Sequence, residues 1–94
     1  MIKVSVMYPA GDGITFDVDY YADTHMEIVN RTMKPSKTSI DKQIDGPYIA
    51  VGHLYYDSMD ALAAGMGDTD EAMGDIANFT NATPVMQISE VVAD

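Results

Sequence analysis

Alternating apolar and polar residues along the chain predict four β-strands. In residues 2–8 every second side chain is apolar, which is the period of a half-buried strand. Residues 36–44 show a weaker alternation with many charges, as expected of an edge strand. Residues 48–56 are apolar on both faces, and residues 85–92 carry the last alternating run. The third strand is therefore the best candidate for the centre of a sheet.

Two helices are predicted between these strands. Residues 18–33 place their apolar side chains on one arc of about 160° when wound at 100° per residue. Asp17 can cap the start of this helix, and Pro35 ends it. A second helix starts after Ser58 or Asp57, runs to Met66, and resumes after a kink over residues 70–76.

The order strand, helix, strand, strand, helix, strand predicts an α+β fold, a ferredoxin-like βαββαβ sandwich built from the single domain 1–94. Both helices of such a fold cover the same face of the sheet. The other face would then expose an apolar patch that monomers rarely tolerate. We therefore expect a homodimer in which a second copy covers the open face, through the residues Ile49, Val51, His53 and Tyr55.

The composition excludes several classes of partner. The 94 residues include 15 acidic and 5 basic side chains, a formal charge of −10, which argues against nucleic acid and anionic membranes as partners. The acids, Asp41 and Asp75 among them, are scattered along the chain and are expected on the solvated surface. Without cysteine there is no disulfide, thiol nucleophile or cysteine-based metal site. No long apolar segment is present, so we expect a soluble, cytoplasmic protein.

His25 is the most informative candidate for chemistry, because it lies near the middle of the apolar arc of the first helix. A histidine in this position is often a core residue that hydrogen-bonds a backbone carbonyl or a tyrosine hydroxyl. It could equally be a base at the floor of a small-molecule pocket. Tyr21 lies one turn earlier on the same face and could present its hydroxyl to the same space.

The second histidine, His53, is expected to point into the space between two sheets, away from His25. The two would then not form a metal pair, and a mononuclear site needs about three protein ligands, so no metal is expected. An interface role for His53 is favoured over a catalytic one. We find no argument for a Ser-His-Asp arrangement and no cofactor motif.

Three motifs resemble the EthD family, which belongs to the dimeric α+β barrel group. They are Asp17-x-Asp19-Tyr20-Tyr21-x-Asp23-x-His25-Met26, Gly52-His53-Leu54-Tyr55-Tyr56-Asp57-Ser58, and Asn78-Phe79-Thr80-Asn81-x-x-Pro84-Val85-x-Gln87-Ile88-Ser89-Glu90-Val91. The resemblance implies a ferredoxin-like protomer, a dimer whose two sheets face each other, and relatives that include polyketide-tailoring cyclases and monooxygenases. The signature that carries over is Tyr20-Tyr21-x-x-x-His25.

Two classes of function remain open. In the first, the protein is a cofactor-free enzyme that acts on an apolar, aromatic or oxygenated metabolite, with His25 moving a proton and Tyr21 assisting, as in a cyclase, dehydratase or monooxygenase. In the second, it is a non-catalytic binding or accessory protein of a degradation or biosynthetic pathway. Both use one pocket, whose expected ligand-contacting residues are Tyr8, Met26, Val29 and Tyr56.

Overall fold

The computed structural model describes residues 1–94 and contains a four-stranded sheet whose neighbouring strands all run antiparallel. The order across the sheet is β2-β3-β1-β4. The strands are β1 (Ile2–Pro9), β2 (Lys37–Lys42), β3 (Tyr48–Tyr56) and β4 (Val85–Glu90). The ferredoxin-like prediction is confirmed, with β1 and β3 adjacent at the centre and the charged β2 at an edge. Only the outer strands are shorter than predicted.

The first helix, α1, covers residues 18–33 as predicted. Asp17 caps it by accepting a hydrogen bond from the backbone N–H of Tyr20 at 3.0 Å. Phe16, just before the cap, packs its ring against Tyr21 with 5.1 Å between centroids. At the other end Lys34 takes a left-handed conformation, φ 51°, immediately before Pro35.

The interior of α1 departs from the predicted regular α-helix. It consists of Val18–Tyr20, a π-helical turn over Tyr21–His25, and Met26–Met33, without a break between them. In the π turn the backbone N–H of Met26 donates to the carbonyl of Tyr21, five residues earlier. Such turns are rare and often lie at functional sites. The apolar period of α1 holds on either side of the turn but does not reveal it.

The second helical segment is divided, as predicted. Helix α2 (Met59–Met66) is capped by Ser58, whose hydroxyl accepts from the N–H of Ala61 at 3.1 Å. Helix α3 (Asp70–Asp75) follows after a short break and runs into a 3₁₀ turn, Ile76–Asn78. None of these helices is both long enough and apolar enough to span a bilayer.

Burial alternates along β3 and separates the two faces of the sheet. Ala50, Gly52, Leu54 and Tyr56 are buried beneath the helices, whereas the side chains between them are only half-buried. Gly52 sits where the Tyr21 hydroxyl meets the sheet, and a Cβ at this position would collide with that hydroxyl. The glycine in the most apolar strand therefore allows α1 to pack closely on the sheet.

Candidate functional site

An apolar cavity of about 260 Å³ lies between the helices and the sheet. This is close to the lower end of the volumes of small-molecule sites, roughly 300–1,000 Å³. Twelve of its fifteen lining residues are hydrophobic, so a ligand must bury mostly apolar surface. Met73 of α3 and Met86 of β4 line the cavity and are 57% and 47% exposed, which marks its mouth between these two elements.

His25 lies in this cavity and is paired with a carboxylate. Its Nδ1 is 2.9 Å from Oδ2 of Asp75, and the two residues are only 4% and 7% exposed. The imidazole ring is held between two aromatic rings, stacked on Tyr21 at 5.2 Å and tilted against Phe79 at 4.6 Å. The π turn of α1 and the C-terminal end of α3 therefore bring together a buried histidine and a buried aspartate.

The other oxygen of Asp75 accepts two further hydrogen bonds. The Tyr20 hydroxyl donates to Oδ1 at 2.7 Å, and the Asn78 side-chain amide donates to it at 2.9 Å. With His25 on Oδ2, three donors surround this carboxylate. Such charge-assisted hydrogen bonds are what allow a carboxylate to remain ionised when it is buried.

These contacts set the protonation states of the pair. Burial lowers the pKa of His25 below its ordinary value, and Asp75 offsets this only in part. Burial by itself would raise the pKa of Asp75, but the hydrogen bonds from Tyr20, Asn78 and His25 outweigh it and leave the pKa below its usual value. The hydrogen bond to Asp75 raises the pKa of Tyr20, so its hydroxyl stays a donor. At neutral pH the pair is an ionised carboxylate beside a neutral imidazole.

The neutral imidazole presents a base to the cavity. Because Nδ1 faces the ionised Asp75, the ring proton lies on Nδ1, and Nε2 carries the free lone pair. Nε2 has no hydrogen-bond partner in the protein. Every fully buried side-chain nitrogen or oxygen in the chain does have a partner. Nε2 is therefore not fully buried, and His25 is one of the residues that line the cavity. This arrangement can accept a proton from a bound molecule, and Asp75 would stabilise the resulting imidazolium.

Two tyrosines belong to the lining of the same cavity. Tyr8 and Tyr21 both line it, with 5.6 Å between their ring centroids. Burial raises the pKa of Tyr21 to about 12, with the Tyr8 hydroxyl partly opposing the rise, and burial also raises the pKa of Tyr8. Both phenols therefore stay protonated at neutral pH and can act only as hydrogen-bond donors or acceptors.

The predicted site residues divide into two groups. His25, Tyr21, Tyr8 and Val29 line the cavity together. Met26 and Tyr56 are buried nearby but are not among the lining residues, and the Tyr56 hydroxyl donates to the carbonyl of Met33 at 3.0 Å. A role for these two residues in ligand contact stays a prediction.

Asp75 was expected on the solvated surface, but it is buried, so this expectation is wrong. Its burial depends on where α3 packs against α1, fifty residues away in the chain. The local sequence did contain one signal of this burial. Ala72 lies three residues before Asp75 and Ile76 one residue after it, and both line the cavity. An acid one helical turn from an alanine on the buried face is a candidate for a paired charge.

His53 lies on the open face of the sheet, opposite to the face that His25 packs against. Its Nε2 is 2.8 Å from Oδ2 of Asp41, and its Nδ1 is 2.9 Å from the Ser5 hydroxyl. The structure thus brings together a serine, a histidine and an aspartate for which the sequence offered no argument. Ser5 lies on central strand β1, whose backbone is paired on both sides, so no N–H beside it is free to stabilise an oxyanion. We interpret these three residues as a polar network across β1, β3 and β2.

No three side chains of histidine, cysteine, aspartate or glutamate gather in a way that could hold a metal ion. Each histidine instead has one carboxylate partner, on opposite faces of the sheet. A base in an apolar cavity is therefore the chemistry that the described residues can supply.

Comparison with known proteins identifies the family. No protein-family model matches the sequence, and no curated protein matches it. Among solved structures, an EthD-like protein from Ralstonia eutropha JMP134 is 38% identical, with a TM-score of 0.90, and the match covers 99% of this chain and 93% of that one. An EthD-family protein from Bacillus halodurans C-125 is 16% identical, with a TM-score of 0.64 and coverage of 96% and 97%. A protein from Deinococcus radiodurans assigned to the antibiotic biosynthesis monooxygenases is 11% identical, with a TM-score of 0.68 and coverage of 100% and 95%. The Bacillus and Deinococcus structures show the fold alone, because their sequence identity is low. The Ralstonia protein is similar in sequence over nearly its whole length. The chain therefore belongs to the EthD family.

Proposed function

We propose that the protein binds a neutral, mostly apolar small molecule in the cavity and removes a proton from it with Nε2 of His25. The observation that carries this proposal is the buried His25–Asp75 pair, whose histidine lines an apolar cavity and leaves Nε2 without a partner in the protein. Removal of a proton from the carbon next to a carbonyl, or from a phenol hydroxyl, is the first step of enolisation, cyclisation, dehydration and some oxygenation reactions. An aromatic or oxygenated metabolite fits both the lining and this chemistry.

The charges around the cavity favour a neutral ligand over an anion. No lysine or arginine lines it, and the whole chain carries a formal charge of −10. A carboxylate or phosphate would have to leave water without a cationic partner and approach the ionised Asp75. The hydroxyls of Tyr21 and Tyr8 could instead donate to a carbonyl oxygen and stabilise the charge that develops on it.

A non-catalytic carrier is the second candidate. Four methionines, Met33, Met66, Met73 and Met86, line the cavity, and flexible methionine-rich surfaces accept varied apolar ligands. A carrier would bind the same molecules without moving a proton. The two functions therefore separate in a turnover assay.

The neutral aromatic probe 5-nitrobenzisoxazole tests the proposal. A base removes its C3 proton, the electron pair forms the nitrile as the N–O bond breaks, and a coloured phenolate is released. We expect wild-type protein to accelerate this reaction well above the rate of an equal concentration of imidazole. Ala72→Phe and Val6→Phe, which fill the cavity from α3 and from β1, should abolish the acceleration.

Ala63→Phe, on the exposed surface of α2 outside the cavity, is the matched control and should keep the wild-type rate. Circular dichroism melts establish that each variant is folded. Binding of the probe without acceleration would favour the carrier. Acceleration that survives both blocking substitutions would place the chemistry outside the cavity and contradict the proposal.

We also propose that two copies associate through the open sheet face around Ile49, Val51, His53 and Tyr55, giving the dimeric α+β barrel. These side chains are only half-buried in one chain although three of them are large and apolar or aromatic. The polar network of Ser5, His53 and Asp41 would fix the register of the two sheets.

Val51→Glu is expected to convert the dimer to a monomer, because it would place an unpaired charge in the covered face. Light scattering at micromolar concentration measures the mass of both forms. Met59→Glu, an equivalent change at an exposed position of α2, should leave the dimer intact. A wild-type protein that is monomeric in this measurement would contradict the dimer.

A further inference from the structure

We infer that Tyr20 is a positioning residue for the His25–Asp75 pair, brought to the site by the π turn of α1. Its hydroxyl holds Oδ1 of Asp75 so that Oδ2 stays directed at Nδ1 of His25. This keeps the ring proton on Nδ1 and the lone pair on Nε2. The effect of Tyr20 on turnover rests on the proposed function. Its hydrogen bond to Asp75 does not depend on that function.

The π turn explains how Tyr20 and His25 reach the same carboxylate. At 3.6 residues per turn, residues five apart in an α-helix lie about 140° apart around the axis. Tyr20 would then point to the polar side of α1 while His25 points to the core. The Met26-to-Tyr21 hydrogen bond spans five residues and adds one residue to the turn. The two side chains consequently contact Asp75 at 2.7 Å and 2.9 Å, one at each oxygen.

The second donor on Oδ1 strengthens the positioning. Asn78 follows Asp75 by three residues in the 3₁₀ turn, and its amide donates to the same oxygen as Tyr20 at 2.9 Å. Rotation of the carboxylate would break both bonds on Oδ1 as well as the bond to His25. Asn78 is local to Asp75, whereas Tyr20 connects the carboxylate to α1, the helix that carries His25.

The ring of Tyr20 is held independently of its hydroxyl. It stacks on Phe79 with 6.3 Å between centroids and an interplanar angle of 26°. Removal of the hydroxyl alone should therefore leave the ring in place and the chain folded. This makes Tyr20→Phe a clean test of the hydrogen bond, and Tyr48→Phe, a tyrosine outside the cavity lining, is its matched control.

Two readouts separate positioning from a purely structural link between α1 and α3. The first is NMR of the His25 ring nitrogens, where wild-type protein should show the proton on Nδ1. The second is the pH profile of 5-nitrobenzisoxazole turnover. In Tyr20→Phe, Asp75 loses a donor and becomes more basic, so it stabilises the imidazolium more strongly. The pKa of His25 should rise, and the acid limb of the profile should move to higher pH.

The kinetic constants of Tyr20→Phe should also report the loss of positioning. The less rigidly held pair should lower kcat by about 10-fold or more with little change in KM, because a small misplacement of a catalytic group is costly. Tyr48→Phe should match wild-type protein in every readout. Asn78→Ala, which removes the other donor to Oδ1, should shift the His25 resonances in the same direction and serves if Tyr20→Phe does not fold.

A Tyr20→Phe or Asn78→Ala protein that melts earlier but keeps the wild-type His25 resonances and pH profile would overturn the inference. If wild-type protein has no turnover, the proposed function fails, yet the NMR comparison still decides whether Tyr20 positions the imidazole. An unchanged ring-proton position and pKa of His25 in the variants would then reject the positioning role by itself.

Discussion

Replacement of His25 by glutamine is expected to lower the turnover of 5-nitrobenzisoxazole by about 10²–10⁴-fold in a protein that still folds. The glutamine amide can donate to Oδ2 of Asp75 and retains an acceptor oxygen, so the carboxylate keeps a partner. An amide is not a base at neutral pH, however, and the proton has no other acceptor in the apolar lining. Stopped-flow or steady-state absorbance of the released phenolate measures the effect.

His25→Ala measures how much the imidazole contributes to the stability of the folded chain. It leaves Oδ2 of Asp75 without its donor and should cost roughly 1–3 kcal/mol in the free energy of unfolding. Glutamine should restore most of this stability without restoring turnover. His53→Gln, which removes the imidazole on the other face of the sheet, should leave turnover unchanged. Wild-type turnover in both His25 variants would reject catalysis and leave His25 as a core residue.

The free energy of unfolding is expected to fall as the pH drops below about 6.5, the ordinary pKa of histidine. The pKa of His25 is lowered in the folded chain, so below this pH the unfolded chain binds a proton that the folded chain does not. Stability is therefore full above the unfolded pKa and is lost as the pH falls towards the folded one. The pKa of Asp75 is also lowered, and it adds a second loss below its ordinary value of 3.8.

Urea denaturation at a series of pH values measures these losses. His25→Gln should remove the loss that begins near pH 6.5. Asp75→Asn should reduce the loss at lower pH and should also lower the pKa of His25, because Asp75 is the group that raises it. The exposed pair of Glu71 and Arg31 titrates alike in wild type and His25→Gln and cancels between them, whereas in Asp75→Asn Glu71 also loses the nearby negative charge that raises its pKa. An equal slope between pH 7 and pH 5 in wild type and His25→Gln would contradict the lowered pKa.

The fold could be predicted from the sequence most reliably where a local pattern is compatible with only one structure. The apolar side chains on both faces of β3 predict a central strand, and Tyr48–Tyr56 lies at the centre of the sheet. Asp17 was predicted as a helix cap and Ser58 or Asp57 as another, because aspartate and serine are favoured at this position. In the structure Asp17 and Ser58 each accept from a backbone N–H three residues later. His25 could be selected because a polar ring in an apolar arc is an exception that the pattern itself reveals.

Asp75 and Tyr20 could not be found in the same way. A helix pattern shows which side chains share a face, but a partner fifty residues distant depends on how α3 packs on α1. In a regular α-helix Tyr20 would lie on the polar side of α1. The π turn satisfies nearly the same backbone hydrogen bonds as an α-helical turn, so the local sequence hardly distinguishes them.

By itself, the sequence of this protein determined the order and approximate bounds of the main elements, the buried face of α1, and the presence of a titratable ring on that face. These follow from periodicity and capping, which act within a few residues. Only the tertiary structure decided that Asp75 is buried, that Tyr20 turns toward it, and that His25 lines a cavity. A buried carboxylate is stable only when donors from distant segments converge on it, and that convergence exists only after the helices have packed on the sheet.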